Sequence, residues 1–147
     1  RMVDLAFNTM WAGIDAVRPG GCFNDIGIAC QRYADQNGIS VVRDYGGHGI
    51  GKGFHEEPHV NHFPVHHQTP VFEPGMVFTV EPMVNAGRYG VTMLGDGWTV
   101  VTKDHSLSAQ WEHMVLVTET GYDVLTVSKG TQAPPAFVKG WKLPENL

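Results

Sequence analysis

Length, composition and charge set the first limits on what this chain does. Of its 147 residues 42% are apolar, which is enough for one modest core and predicts a single folding unit or part of one. Its 10 basic and 15 acidic residues give a formal charge of −5 without a block of like charge, so we expect neither nucleic acid nor an anionic membrane as a partner. With no membrane-span or signal-peptide pattern and no disulfide framework, we expect a cytoplasmic protein.

Two amphipathic helices are predicted in the first forty positions. Apolar residues recur at intervals of three and four over residues 2–17, and the Pro-Gly-Gly segment at residues 19–21 ends that pattern. No capping residue precedes it, so we expect the first helix to begin upstream in a longer chain. A second helix is predicted from Asn24 or Asp25, either of which can cap it, to the Asn-Gly stop at residues 37–38.

Glycines and β-forming residues dominate the remainder of the chain. Five glycines within residues 46–53 oppose a regular helix, because each costs about 1 kcal/mol there, and they predict a loop built for close backbone approach. Two helices followed by several strands predict an α+β fold with an antiparallel sheet, and the tail after residue 129 is expected to be irregular. The predicted strands cover residues 39–42, 76–80, 98–102, 109–118 and 121–127.

Two glutamates fall in apolar strand patterns. Glu81 ends a Val-Phe-Thr-Val run, and Glu112 lies inside the predicted strand of residues 109–118. A carboxylate that points into a core is costly unless it is paired or bound to a metal. Together with His48 on the glycine-rich loop, the two carboxylates form a ligand set suited to divalent Mn, Fe, Co or Zn. The alternative is that both glutamates lie in water at strand ends and that His48 is an ordinary loop histidine.

Six segments follow one another along nearly the whole chain. They are Gly-His-Gly-Ile-Gly at 47–51, Phe-His-Glu-Glu-Pro at 54–58, Pro-Gly-Met at 74–76, Thr-Val-Glu-Pro-Met-Val-Asn-Ala-Gly at 79–87, Asp-Gly-Trp-Thr at 96–99 and Ser-Ala-Gln-Trp-Glu-His at 108–113. Together these segments resemble the bacterial type of methionine aminopeptidase. The proline-specific aminopeptidases and prolidases share a glycine-flanked histidine and two glutamates, but they resemble this chain less around Glu81 and Glu112.

The resemblance implies a fold and an activity. The family has the pita-bread fold, in which two similar α+β halves enclose the metals, and residues 1–147 would be the carboxy-terminal half of a single catalytic domain. The implied reaction removes the initiator methionine from nascent polypeptides, using water activated by two divalent ions (Co, Mn, Fe or Zn). The implied partners are peptides that begin with Met and the missing amino-terminal half, which would carry two aspartate ligands. The isolated chain is then expected to be inactive.

The resemblance also implies roles for individual residues. His48, Glu81 and Glu112 would be the metal ligands, with Glu112 bridging two ions and Glu81 also accepting a proton from the metal-bound water. His55 would hydrogen-bond the substrate and stabilise the tetrahedral intermediate. Phe54 and Trp98 would line the apolar pocket for the methionine side chain, and the alternative for these two residues is simple core packing.

Several other patterns in the sequence compete with this interpretation. Asp4 and Asp15 are spaced like the family's two aspartates, but we reject them because both fall in the first predicted helix. Residues 55–59 match the zinc-protease pattern His-Glu-x-x-His, which requires a helix that Pro58 opposes. A rival function from another class is a non-catalytic interaction module that retains the fold. The other histidines are predicted to lie in a solvated loop (His62, His66 and His67) or to be surface and strand residues without a role (His105 and His113).

Overall fold

Two helices and ten short strands form the regular structure of the computed structural model, which describes residues 1–147. None of the helices combines the length and the apolar character that crossing a membrane requires. In chain order the elements are α1 (Met2–Ile14), α2 (Phe23–Asn37), β1 (Ser40–Val41), β2 (Gly47–Gly49), β3 (Glu56–Val60), β4 (Val77–Val80), β5 (Met83–Asn85), β6 (Val91–Met93), β7 (Val100–Thr102), β8 (Ser108–Gln110), β9 (His113–Val117) and β10 (Tyr122–Val124).

All strand pairs are antiparallel, as the sequence predicts. The main sheet has the order β10-β9-β4-β2-β3, a second sheet has the order β1-β5-β8, and β6 pairs with β7 in a separate hairpin. The two helices pack together, and their apolar faces cover β4 and β9. The α+β architecture with two helices and antiparallel sheets is therefore confirmed.

The apolar stripe of α1 is the centre of the hydrophobic core. Phe7, Met10, Trp11 and Ile14 are each at most 3% exposed, in keeping with their spacing of three and four positions. The helix ends at Ile14 rather than at residue 17, and Asp15 is its C-cap. The predicted helix is thus correct in its buried face and three residues too long at its end.

The start of α2 corrects the predicted cap. The N-cap is Cys22, and the carboxylate of Asp25 at the third helical position accepts a hydrogen bond from the Cys22 backbone N at 3.0 Å. Asn24 is also inside the helix, where its side chain bonds the backbone of Val65 instead of capping. The predicted C-terminal stop is confirmed, because Gly38 has φ +64 in the left-handed region that ends helices.

The glycine-rich segment predicted as a loop contains a strand. Gly47–Gly49 is β2, an inner strand of the main sheet between β3 and β4. A Cβ on Gly47 would lie 2.3 Å from the Thr79 carbonyl oxygen, and one on Gly49 would lie 2.2 Å from that of Glu57. The expected close backbone approach is therefore correct, but neighbouring strands make it, and strand pairing outweighs the low propensity of glycine.

The strand predicted over residues 109–118 is two strands that belong to different sheets. β8 ends at Gln110 and β9 begins at His113, so Trp111 and Glu112 form a break between them. The Trp111 ring packs against Phe7 of α1 at 5.1 Å between centroids, and its Nε1 donates to the Val3 carbonyl at 3.1 Å. At Trp111 the chain contacts α1 instead of continuing one strand. The strand pattern of the sequence shows no interruption at this position.

The tail has no regular structure, as expected, yet it is anchored to α1. Asp15 accepts hydrogen bonds from the Tyr122 hydroxyl at 2.8 Å and from the backbone N of Gly140 at 3.1 Å. The Trp141 ring stacks on Trp11 with 5.5 Å between centroids, and its Nε1 donates to Asp123 at 2.7 Å. These bonds give Asp15 a structural role, in agreement with its rejection as a ligand.

Candidate metal centre

His48 lies on β2 with its imidazole orientation fixed by the backbone. Its Nδ1 is 2.9 Å from the Gly49 carbonyl oxygen, and because a carbonyl only accepts, Nδ1 carries the proton. The Nε2 lone pair is then free to bind a cation. The backbone N of His48 donates to the Thr79 hydroxyl at 3.0 Å, which ties β2 to β4 next to the imidazole.

Glu81 follows β4 and points towards His48. Its Oε1 lies 3.5 Å from His48 Nε2 and accepts a hydrogen bond from the Thr79 hydroxyl at 2.8 Å. The Gln110 side-chain amide donates to the Glu81 carbonyl oxygen at 3.1 Å and lies 3.3 Å from Oε2. Burial raises the pKa of the Glu81 carboxyl, the Thr79 hydroxyl opposes this shift, and the charge of Glu112 adds to it.

Thr79 is a site residue that the sequence analysis missed. It is 1% exposed, and its hydroxyl joins the backbone of His48 to the carboxylate of Glu81. Strand alternation offered a usable signal, because residues two apart on a strand share a face and a threonine two positions before Glu81 therefore lies beside it.

His62 was predicted to lie in a solvated loop, and this prediction is wrong. The residue is 1% exposed, and its Nε2 accepts a hydrogen bond from the backbone N of Glu81 at 3.0 Å. Burial lowers the pKa of His62 to about 3, with a smaller contribution from His59, so the ring is neutral. Of the three histidines predicted in that loop, only His62 is turned inward by the fold, while His66 and His67 are exposed.

Glu112 differs from Glu81 in its surroundings. It lies in the break between β8 and β9, and its side chain is exposed. Its charge reaches Glu81, where it raises the pKa, but the structure brings no three His, Cys, Asp or Glu side chains into one group that could hold a metal. The pair that converges is His48 and Glu81, whose imidazole nitrogen and carboxylate fit a divalent first-row metal.

The residues predicted to contact the substrate lie beside His48 and Glu81. The His55 ring lies 4.3 Å from that of His48 between centroids, and Phe54 packs edge-on against His55 at 4.6 Å. A cavity of about 720 Å³ is bordered by His48, His55, Glu81 and Trp98. Phe54 is 69% exposed and Trp98 is 86% exposed, so neither is packed in the core that residues 1–147 form.

The structure lacks the helix that the zinc-protease pattern at residues 55–59 requires. Residues 56–60 form strand β3, so His55 and His59 do not share a helical face, and the rejection of that interpretation is confirmed.

His113 was predicted to be a strand residue without a role. It is on β9, but it is buried, and its Nδ1 is 2.8 Å from the Thr126 hydroxyl oxygen. His105 is exposed, as expected.

Comparison with known proteins agrees with the resemblance in the sequence. The methionine aminopeptidase of Salmonella typhimurium is 50% identical over 134 residues, which cover 91% of this chain and 51% of the relative. The enzyme of that name from Escherichia coli is 46% identical with the same coverage. The chain therefore spans about half the length of the curated relatives it matches.

Solved structures show the same fold. The methionine aminopeptidase of Rickettsia prowazekii superposes with a TM-score of 0.83 at 46% identity, over 86% of this chain and 52% of that one. The enzyme from Thermotoga maritima gives 0.82 at 35% identity, with coverages of 86% and 51%. A prolidase from Pyrococcus furiosus, at 0.60 and 21% identity over 87% and 32%, shows the fold alone. The family model described as Metallopeptidase family M24 matches residues 1–119, and the chain accordingly belongs to that family and has its pita-bread fold.

Proposed function

We propose that this chain contributes to the catalytic centre of a metallo-aminopeptidase that removes the amino-terminal methionine from nascent polypeptides. The observation that carries the proposal is the pairing of His48 Nε2 with Glu81 Oε1 at 3.5 Å beside a cavity bordered by His55 and Trp98. The names of relatives at 46% and 50% identity support methionine as the residue removed.

His48, Glu81 and Glu112 would hold two divalent ions, with Glu112 shared between them. Such ions supply Lewis-acid activation of water and of the scissile carbonyl group. Three side chains are few ligands for two ions, and the chain spans about half of its relatives. We therefore propose that residues 1–147 are the carboxy-terminal half of the catalytic domain and that two aspartates outside these residues complete the ligand set.

Glu81 is the proposed proton acceptor. The Thr79 hydroxyl occupies its Oε1 at 2.8 Å, whereas Oε2 has only the longer 3.3 Å contact with Gln110. Oε2 is therefore the oxygen with more capacity to take a proton from the attacking water. Because hydrogen bonds orient the whole group before substrate arrives, little reorganisation is needed when the proton moves.

His55 and the two exposed aromatic residues are the proposed substrate contacts. His55 is exposed and free of a hydrogen-bonding partner within the chain, so its ring can donate to the substrate carbonyl oxygen as negative charge develops there. Trp98 borders the cavity, and Phe54 packs on His55. Their exposed rings offer an apolar wall of the kind that the thioether of methionine favours.

The test measures release of the first residue from short peptides by the complete protein. Metals are removed with a chelator, and Co or Mn is added back. We expect metal-dependent release from a Met-Ala-Ser peptide and much less from an Ala-Pro-Ser peptide. The isolated 147-residue chain is the matched control and should release little methionine, because its ligand set is incomplete.

Three outcomes would redirect the proposal. Preferential cleavage of the proline peptide would assign the chain to the proline-specific relatives. A protein that binds metal and cleaves neither peptide would favour the non-catalytic module. Full activity with two bound ions from the isolated chain would show that its own residues complete the site, and the proposed half-domain would be wrong.

A further inference from the structure

The backbone of Glu81 is held by a buried histidine. Glu81 is the first residue after β4, and the following Pro82 has no N–H with which to extend a strand ladder. The Glu81 backbone N instead donates to His62 Nε2 at 3.0 Å. His62 is 1% exposed, so water does not compete for this bond. The bond therefore replaces strand pairing at the point where the proposed ligand leaves the sheet.

The direction of this bond defines the form of the ring. A backbone N–H can only donate, so His62 Nε2 must present a lone pair. The single proton of the neutral ring is then on Nδ1. A ring protonated at both nitrogens would place two donors against each other, and the contact with Glu81 would be lost. His62 thus acts as a fixed acceptor in a buried site.

Helix α2 holds the segment that carries His62. A Cβ on Gly27 would lie 2.3 Å from the Phe63 carbonyl oxygen, so the absence of a side chain there lets the helix pack directly on the backbone next to His62. The side chain of Asn24, also on α2, bonds the backbone N–H and carbonyl of Val65, two residues after Phe63, at 2.9 and 3.1 Å. The position of the imidazole is consequently set by the helix and not only by the loop.

We propose that His62 is a positioning residue for Glu81, an inference that rests on the proposed function of that glutamate. His62 holds the backbone N, Gln110 holds the carbonyl oxygen, and Thr79 holds Oε1. With these three bonds in place, the carboxylate is directed towards His48. Without the His62 bond, the peptide unit that carries Glu81 gains rotational freedom, and the carboxylate loses its fixed direction.

Two substitutions in the complete protein separate this role from simple core filling. His62→Leu has nearly the same volume but cannot accept a hydrogen bond. His62→Gln places an amide oxygen at about the reach of Nε2 and can accept. We expect His62→Leu to lower metal affinity or kcat by about 10- to 100-fold with little change in KM, which is typical for groups that orient metal ligands. His62→Gln should recover most of that loss.

A matched control removes buried volume away from the site. Phe72 is 1% exposed and packs against Phe23 and Phe78, so Phe72→Leu should lower the melting temperature without lowering kcat. An equal fall in kcat for Phe72→Leu and His62→Leu would show that stability alone is measured, and would overturn the positioning role.

Nuclear magnetic resonance of the unsubstituted protein tests the bond itself, even if His62→Leu does not fold. We expect the ¹⁵N spectrum to show His62 protonated at Nδ1 and not at Nε2, and the Glu81 amide to exchange slowly with solvent. A proton on Nε2, or rapid exchange of that amide, would overturn the inference. Unchanged kcat and metal affinity in His62→Leu would do the same while leaving the proposed function intact. Absence of metal-dependent methionine release from the unsubstituted protein would instead remove the proposed function, and this inference with it.

Discussion

Glu81 and Glu112 both follow the end of an antiparallel strand, yet their surroundings are opposite. Glu81 is half-buried, and His62, Gln110 and Thr79 hold its backbone and carboxylate. Glu112 is exposed, and its neighbours on both sides are anchored to other parts of the chain instead of to its carboxylate.

This difference shows that the position of a residue in a strand pattern does not determine how well its side chain is oriented. The partners that orient Glu81 come from β4 itself, from β8 and from the loop after β3. Glu112 also lies just outside a strand, in the break between β8 and β9, but it has no such partners, and its effect on the site is the charge that raises the Glu81 pKa. The region around Glu81 is therefore preorganised by this chain, and the region around Glu112 is much less so.

The largest expected effect comes from Glu112 despite its exposure. In the complete protein, Glu112→Gln should reduce methionine release by at least about 1000-fold, because a ligand shared by two ions, the role proposed for Glu112, supports several kcal/mol of transition-state stabilisation. The melting temperature of the metal-free protein should barely change, since an exposed substitution typically alters stability by less than about 0.5 kcal/mol. Peptide assays and thermal unfolding of the same preparation check both parts. Near-normal turnover would remove Glu112 from the site.

A smaller loss is expected for His55, which lies beside His48 and Glu81 and is proposed to contact the substrate instead of the metal. His55→Ala should lower kcat by about 100- to 1000-fold, the usual range for a lost transition-state hydrogen bond, while elemental analysis finds the metal content unchanged. The exposed His66 serves as the control, and His66→Ala should behave like the unsubstituted protein. Loss of metal from His55→Ala would make His55 a ligand and contradict its proposed role.

The smallest of these effects concerns the Thr79 hydroxyl, which joins the two proposed ligands His48 and Glu81. Thr79→Val keeps the shape of the side chain but leaves the His48 backbone N and Glu81 Oε1 without their shared partner. We expect metal affinity measured by calorimetry to fall about 10-fold, and the free energy of unfolding to fall by about 1 to 3 kcal/mol. Thr79→Ser should retain both values. If valine is tolerated without change, the preorganisation of Glu81 does not depend on Thr79.

The sequence was informative where the physical cause is local. The buried face of α1, the glycine at the end of α2 and the close approach around Gly47 follow from spacing and backbone freedom. Thr79 lies two positions before Glu81, so strand alternation could have indicated it. His62 was missed because its bond to Glu81 joins residues 19 positions apart, which no local pattern reveals. The break at Trp111 was missed for the same reason, since the contact of its indole Nε1 spans 108 positions.

The anchoring of the tail to α1 has a consequence for the order in which the chain folds. The bonds of Asp15 to Tyr122 and Gly140 span 107 and 125 positions, and Trp141 is needed to cover one side of Trp11. A polypeptide that emerges from the ribosome amino end first exposes α1 long before these partners exist. The helix that centres the core is therefore synthesised well before its partners, and the core around it closes only after nearly all the residues described here have emerged.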